Sequence, residues 1–352
     1  MLKGILEIKP TDRAWHLPVL AGLCVGLPIL AGYFTDSLAD GKLASMAGLV
    51  ILYIHTAQPI ANRMIILMAC SFGLMVSFTI GIVSGANPIA ASVVLGTTAF
   101  FIHLALYYLG MTRPPGNFFF IMLASIAICM PNDLATVPHK IGMIGIGTMV
   151  SCVLGFIYSL LLLPRSGIAA TTVAVPKHEY ANLVESATFG VFVGLAVLAA
   201  RLLKLENPYW VPMSCAAVMQ GVSVRHVWQR SIQRVLGTFV GLVVTWGILS
   251  LQPSMLALCV GIIVLQIVVE LLIVRNYGIA VVFITVLTIF LAESGDTLTN
   301  NPTQLMTARF FDILIGSTIG AIGGWILYNE KVHAAATRQI RRTKVIVKKR
   351  KG

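Results

Sequence analysis

Residues 225–241 read RHVWQRSIQRVLGTFVG, and in this stretch a basic turn continues directly into a helix of apolar and small side chains. Arg230 and Arg234 are four residues apart, so they share one face of that helix. Further steps along the same face reach Gly237 and Gly241, a small-x-x-x-small spacing that lets a second membrane helix approach closely. The stretch therefore predicts a guanidinium pair at the mouth of a tightly packed groove between membrane helices.

The two arginines allow two interpretations. Arginines at the cytoplasmic end of a membrane helix commonly anchor the helix and fix its orientation. Alternatively, the pair attracts an anion, because a guanidinium group is always charged and its planar fork matches a carboxylate. The residues leave both interpretations open, and the second makes Arg230 and Arg234 candidate substrate-binding residues.

The composition indicates an all-α integral membrane protein. Of the 352 residues, 57% are hydrophobic and only 11% are charged, which is too apolar for a soluble domain. Because about twenty apolar residues span a bilayer, we expect about twelve transmembrane helices. The candidate spans are residues 17–34, 43–57, 64–83, 89–109, 118–130, 141–163, 189–203, 210–220, 232–251, 255–274, 279–291 and 305–328. The runs at 118–130 and 210–220 are short enough for either to be a half-span.

The distribution of charge predicts that both termini are cytoplasmic. When the candidate spans alternate in direction, most basic residues fall on the side that holds the termini, and acidic loop residues fall on the other side. The basic residues on the far side are Lys42, Lys140, Arg201, Lys204 and Arg309. We therefore expect a multi-pass protein with an even number of spans.

A weak internal repeat divides the chain into two halves. Sliding the sequence on itself by about 167 positions aligns Arg63 with Arg230, and later matches follow at nearly the same spacing. We therefore predict a tandem repeat of two six-helix units in the same orientation, with a small-solute site between them. The predicted divisions are a first unit at 1–163, a cytoplasmic linker at 164–181, a second unit at 182–329 and a basic cytoplasmic tail at 330–352.

Arg309 and Asp312 are ionisable residues inside a predicted span, and such residues are functional candidates by default. They are three residues apart, so they share a helix face and can pair. Gly316 and Gly320 continue that face as a second close-packing groove. On one interpretation Asp312 takes up and releases a proton while Arg309 meets an anion or modulates the carboxyl group. On the other, the two form a static ion pair that fixes helix packing.

Glu270 and His103 are two further ionisable residues in predicted spans. Glu270 is either a proton carrier or a side chain that snorkels or pairs with Arg275. His103 is either a proton relay or a hydrogen-bonded packing residue among aromatic side chains. Both residues are therefore candidates for proton coupling, each with a structural alternative.

Tyr209 and Trp210 follow Asn207 and Pro208 at the start of a predicted span. This placement is typical of an aromatic belt at the membrane interface. Stacking against an aromatic substrate is the alternative role.

Nothing in the sequence predicts an enzyme, a catalytic residue, a cofactor or a metal site. It contains no nucleophile elbow, phosphate-binding loop or paired-carboxylate arrangement. The six cysteines are scattered through apolar runs without metal-ligand spacing. The net charge of +12 is concentrated in the tail at 330–352, which we expect to bind anionic lipid headgroups rather than nucleic acid.

Two short motifs stand out in the second half. One is a Q-R-x-x-G-T run, formed by Gln233, Arg234, Gly237 and Thr238, and the other is a late R-x-x-D-x-x-x-G helix, formed by Arg309, Asp312 and Gly316. These motifs resemble the fusaric acid resistance or aromatic acid exporter family of bacterial inner-membrane proteins. The resemblance implies export of aromatic carboxylates or other small organic anions, driven by the proton gradient and often with a periplasmic adaptor protein. Many members carry soluble domains after each six-helix unit, whereas the corresponding segments here are short.

We therefore expect an inner-membrane transporter that exports small organic anions. Arg230 and Arg234 would draw a carboxylate to the cytoplasmic entrance, and Arg309 would hold it between the halves. Protons would bind Asp312 or Glu270. Two alternatives stay open: a passive voltage-driven organic-anion channel, and a non-transporting scaffold that docks partners through the tail. A homodimer is compatible with the sequence, and the substrate and the direction of transport do not follow from it.

Overall fold

The computed structural model describes residues 8, 10, 11, 13–85, 87–111, 114–131, 133–162, 179–292 and 302–329. This part of the chain folds into twelve α-helices and contains no β-strand. The helices are α1 His16–Phe34, α2 Leu38–Gly48, α3 Ile60–Ser84, α4 Pro88–Tyr108, α5 Phe118–Cys129, α6 Val137–Leu161, α7 Glu179–Leu202, α8 Trp210–Met219, α9 Val224–Ser250, α10 Met255–Ile273, α11 Tyr277–Ala292 and α12 Pro302–Tyr328. The predicted all-α membrane fold is confirmed.

Eight of the described helices are long and apolar enough to cross a membrane: α1, α3, α4, α6, α7, α9, α10 and α12. Their outward faces are apolar as well. On α9, the side chains of Phe239, Val243 and Trp246 are 56%, 57% and 53% exposed. Large apolar side chains on the outside of a bundle are expected where helices contact lipid chains instead of water. The chain is therefore a multi-pass membrane protein.

Three shorter apolar helices, α5, α8 and α11, accompany the long ones. All ten residues of α8 are buried, as are nine of the twelve residues of α5. A ten-residue helix is about 15 Å long, which is half the thickness of the hydrocarbon layer. The two short runs of the sequence therefore form internal helices, and α8 packs among α5, α7, α9 and α12.

The structure differs from the prediction at the second candidate span, which was predicted at residues 43–57. Its helix α2 begins earlier, at Leu38, and ends at Gly48, after which a 3-10 helix continues to Tyr53. The early start includes Asp40 and Lys42, charged residues that a search for apolar runs leaves out. The chain then turns extended at Ile54, so the last residues of the predicted span lie in the connection to α3.

The first and second halves of the chain pack against each other through two long helix pairs. Helix α1 lies along α10, and α4 lies along α7. In the α4–α7 pair the backbones touch, because a Cβ atom added at Gly190 would lie only 2.5 Å from the carbonyl oxygen of Gly96. These contacts join residues that are far apart in sequence, so the two halves form one bundle.

The predicted linker at 164–181 falls largely on residues 163–178, which lie outside the described residues. The predicted tail at 330–352 also lies outside them.

Candidate functional site

Two groups of basic side chains lie at different levels along α11. Tyr277 is the first residue of this helix and contacts Arg230 and Arg234 of α9. Thr288, eleven residues further along α11, contacts Arg309 of α12. At 1.5 Å per residue the two levels are about 16 Å apart along the helix axis. The predicted substrate-binding arginines thus form two clusters, one towards each end of α11.

The first cluster consists of Arg230, Arg234 and Tyr277. The Arg230 guanidinium carbon lies 4.3 Å from the centre of the Tyr277 ring, in cation–π contact. Arg234 donates from Nη1 to the Tyr277 hydroxyl oxygen at 3.3 Å. Arg234 is buried, whereas Arg230 and Tyr277 are half-buried. The two arginines predicted to act together therefore hold one tyrosine between them.

Local structure explains why these side chains meet. The Ser223 hydroxyl accepts from the amide of His226 and so begins α9, which places both arginines within its first three turns. At the start of α11 the Asn276 side chain accepts from the amide of Ile279 at 3.0 Å. These two caps fix the facing helix ends. Sequence reasoning missed Tyr277, whose only local signal is its place at the start of an apolar run beside Arg275.

The charge around the first cluster is mostly positive. Neither Arg230 nor Arg234 forms an ion pair with a carboxylate of the described residues. Glu185 of α7 and Arg230 both act electrostatically on the Tyr328 hydroxyl, so one carboxylate lies in the wider surroundings of the cluster. A guanidinium pair of this kind attracts anions, because clustered positive charge raises the local anion concentration.

The small residues of α9 pack against α11, as their spacing predicted. A Cβ atom added at Gly237 would lie 2.8 Å from the carbonyl oxygen of Gly278, and one added at Gly241 would lie 2.6 Å from that of Val282. Thr238, between them in sequence, is 1% exposed. The close approach of the two backbones holds Arg234, one turn earlier on α9, beside the first turn of α11.

The second cluster consists of Arg309, Trp210 and Thr288. The guanidinium carbon of Arg309 lies 2.9 Å from the centre of a Trp210 ring, and its Nη2 donates to the Thr288 hydroxyl oxygen at 2.6 Å. Arg309 and Trp210 are each 2% exposed. Three helices therefore converge here: α12 supplies the cation, α8 the aromatic face and α11 the hydroxyl group.

Trp210 does not belong to an interfacial belt, contrary to the expectation from its sequence position. The side chain is buried beneath Arg309 instead of facing a lipid headgroup layer. The physical reason is that α8 is an internal helix, so its first residue points into the bundle and offers its ring to a buried cation.

Asp312 and the glycines that follow it lie on the face of α12 that packs against α8. Asp312 is completely buried. Four residues later, at Gly316, an added Cβ atom would meet the carbonyl oxygen of Val211, and at Gly320 it would lie 2.7 Å from that of Cys215. The second small-residue groove therefore seats α8, and Asp312 stands above it on the same face, close to the second cluster.

Glu270 pairs with Arg13, not with Arg275. The distance between Arg13 Nη2 and Glu270 Oε2 is 2.8 Å, and Gln266 donates to the other carboxylate oxygen at 3.4 Å. The Glu270 side chain is 6% exposed, whereas Arg275 is exposed to solvent. The ion pair ties the residues before α1 to the end of α10, a contact that no local pattern could reveal.

Replacing Glu270 with glutamine is expected to destabilise the protein by roughly 1–3 kcal/mol, because Arg13 loses its charged partner in a mostly buried position. Arg13→Ala is expected to have an effect at least as large, because it leaves the more deeply buried Glu270 carboxylate without its cation, and the double variant should lose less than the sum of the two. Thermal unfolding in detergent, followed by tryptophan fluorescence, measures these differences. Arg275→Ala is the control and should change stability by less than about 0.5 kcal/mol. Strictly additive effects would contradict the ion pair.

His103 contacts Asn117 and Phe189. Its Nδ1 atom is 2.9 Å from the side-chain nitrogen of Asn117, and its ring stacks on Phe189 with centroids 5.0 Å apart. Gln220, at the end of α8, donates to the Asn117 oxygen at 3.3 Å. His103 is therefore part of a polar group that links α4, the start of α5 and the end of α8.

Residues 195–323 match a family described as fusaric acid resistance protein-like. The family resemblance of the second half is confirmed. This fusaric acid resistance protein-like region begins within α7 and ends within α12, so it contains both arginine clusters and Asp312. Among the described residues, no group of three histidine, cysteine, aspartate or glutamate side chains could hold a metal ion.

A curated relative of this chain is the uncharacterized membrane protein YvaC of Bacillus subtilis (strain 168). The two are 34% identical over 148 residues, which are 42% of this chain and 23% of YvaC. The chain therefore spans less than a quarter of the length of that relative. No solved structure matches the chain.

Proposed function

We propose that this protein transports small organic carboxylate anions, with aromatic carboxylates as the preferred class, across the bacterial inner membrane and out of the cell. The observation that carries the proposal is the pair of arginine clusters, about 16 Å apart along α11, inside a bundle with an apolar surface. Guanidinium groups buried in a membrane protein are expensive to retain, which favours a functional role.

The two clusters suit successive binding steps. Arg230 is half-buried and lies near the start of α9, so an anion can approach it first. Arg234 is buried one turn deeper and offers the planar fork that matches a carboxylate. Arg309, stacked on Trp210, then meets the anion at the far level. The family description names resistance to an acid, which supports export of an organic anion.

Asp312 is the group we assign to proton coupling. It is completely buried and lies three residues from Arg309. The carboxyl group lies so close to the anion site that its protonation and the binding of the anion are linked, because both act on the charge around Arg309. Glu270 takes a structural role in this proposal, since it forms an ion pair with Arg13.

We further propose that the chain is a tandem repeat whose two halves share one orientation. The helix contacts support this: α1 with α10 corresponds to α7 with α4, α2 with α6 corresponds to α8 with α12, and α3 with α5 corresponds to α9 with α11. Both termini would then lie in the cytoplasm, with Arg230 and Arg234 on that side. A periplasmic adaptor protein and a homodimer are partners in this proposal, and anionic lipids would bind the tail at 330–352.

Transport of benzoate from proteoliposomes, with the pH gradient and the voltage clamped separately, tests the function. We expect efflux that needs the proton gradient, that falls by about tenfold or more in Arg234→Ala, and that loses its pH dependence in Asp312→Asn. Arg225→Ala is the matched control, because Arg225 is an exposed arginine of the same helix. Efflux that follows voltage alone would identify a passive channel. Full coupled transport by the Arg234→Ala, Asp312→Asn double variant would contradict the proposed roles.

A further inference from the structure

We propose that Tyr277 is an internal occupant of the anion site formed by Arg230 and Arg234, and that an aromatic oxyanion binds there by displacing it. The inference rests on the proposed function, because it concerns the same two arginines. It adds a residue that keeps the site closed when no ligand is present.

Tyr277 already provides both chemical features of an aromatic oxyanion. Its ring face lies under the Arg230 guanidinium at 4.3 Å, and its oxygen accepts from Arg234 Nη1 at 3.3 Å. A benzoate placed in the same position would offer an aromatic face to Arg230 and an oxygen to Arg234. The arrangement of the two arginines is therefore complementary to a flat ring that carries an oxygen at its edge.

A carboxylate is expected to compete well with this phenol. A separation of 3.3 Å lies beyond the usual range for an N–H···O hydrogen bond. A carboxylate bonded to a guanidinium group is closer, carries a full charge and can accept two parallel hydrogen bonds. In addition, Nε of Arg234 has no hydrogen-bond partner among the described residues, so the arginine has a donor left for a ligand.

The position of Tyr277 allows its ring to leave without unfolding the helix. Tyr277 is the first residue of α11 and is half-buried, so its side chain borders the bundle surface. The start of the helix is held independently, by the hydrogen bond from the Ile279 amide to the Asn276 side chain. A rotation of the tyrosine side chain would therefore expose both guanidinium groups while α9 and α11 stay packed.

Displacement also predicts selectivity. An aliphatic anion such as acetate can replace the oxygen at Arg234 but leaves the Arg230 face without a ring. An aromatic anion replaces both contacts. Wild-type protein should therefore prefer benzoate over acetate, and Tyr277→Ala should keep this preference while it binds both anions more tightly, because Arg230 still accepts a ring.

The experiment measures equilibrium binding of benzoate and acetate to the full chain, purified in detergent, by isothermal titration calorimetry. If Tyr277 occupies the site about nine-tenths of the time, Tyr277→Ala should bind benzoate about tenfold more tightly than wild type, since the closed state lowers apparent affinity by the open fraction. Tyr277→Phe keeps the ring but frees Arg234, so its affinity should be intermediate. Tyr108→Ala is the control, because this tyrosine is 69% exposed and should leave binding unchanged.

The possible outcomes separate the inference from the proposed function. Weaker benzoate binding by both Tyr277 variants than by wild type would overturn the inference, because Tyr277 would then support the site. If neither wild type nor Tyr277→Ala binds benzoate, the anion site itself is absent and the proposed function fails with it. Arg234→Ala should abolish binding in both backgrounds. Should Tyr277→Ala fail to fold, the Tyr277→Phe comparison decides between tighter and weaker binding.

Discussion

Arg309→Lys is expected to reduce carboxylate transport by roughly a hundredfold while the protein remains folded. The substitution keeps the positive charge, so Asp312 keeps a cationic neighbour on the same helix. It removes the planar guanidinium group, which a lysine ammonium cannot replace in stacking or in forked hydrogen bonding. A hundredfold change corresponds to about 2.7 kcal/mol, within the range for hydrogen bonds to charged groups.

The geometry of the second cluster explains why lysine should fail. The guanidinium carbon of Arg309 lies 2.9 Å from the centre of a Trp210 ring while Nη2 reaches the Thr288 hydroxyl oxygen at 2.6 Å. One flat group therefore contacts two helices at once, by stacking on a ring of α8 and by donating to a hydroxyl group of α11. A lysine can satisfy only one of these contacts at a time.

Benzoate efflux from proteoliposomes measures this effect, normalised to the amount of folded protein in each preparation. Arg275→Lys is the matched control, because Arg275 is exposed at the end of α10 and should transport as wild type does. The thermal midpoint of Arg309→Lys in detergent shows whether the bundle survives. Wild-type transport by a correctly folded Arg309→Lys protein would remove Arg309 from the transport path.

Gly241→Val is expected to destabilise the bundle by about 3 kcal/mol or more, at the upper end of what overpacking usually costs. The added Cβ atom would lie 2.6 Å from the backbone oxygen of Val282 and 2.7 Å from the Cβ atom of Thr285. Neither neighbour is the end of a flexible side chain, so α9 and α11 must move apart. Such a shift would also separate Arg234, on α9, from Tyr277, on α11.

Gly247→Val is the matched control on the same helix. An added Cβ atom at Gly247 meets nothing within 4 Å, and the residue is exposed. Valine is slightly better than glycine in a helix interior, so this variant should be neutral or more stable by a few tenths of a kcal/mol. Thermal unfolding of the two variants in the same detergent gives the comparison. Equal thermal midpoints for them would contradict the close contact of α9 and α11.

Hydropathy predicted most helices well, because a membrane helix must satisfy its backbone groups within one apolar run. The runs at 17–34 and 255–274 agree within one residue with α1 His16–Phe34 and α10 Met255–Ile273. The prediction was poorest for α2, whose first turns contain charged residues and whose end is a 3-10 helix. The hydropathy pattern locates runs of apolar residues, whereas the bounds of α2 depend on the packing of its buried face.

The candidate site was predictable only in part. Residues on one helix face, such as Arg230 with Arg234, could be grouped because helical spacing fixes their direction. Their partners come from other helices: Trp210 lies under Arg309, and Tyr277 lies between the α9 arginines. Spacing along one helix contains no information about which ring faces a cation from another helix. For this reason, Trp210 was expected in a belt and Tyr277 was not identified.

The ion pair between Arg13 and Glu270 also constrains how the protein is made. The two residues are 257 positions apart in the sequence. Because ribosomes add about 5–20 residues per second, Glu270 is synthesised roughly 10 to 50 seconds after Arg13. Likewise, α1 is synthesised before its contact partner α10, and α4 is synthesised before its contact partner α7. During this interval the early helices lie in the bilayer with their future contact faces open to lipid or to insertion chaperones. Assembly of this protein is therefore a late event that follows translation of its tenth helix.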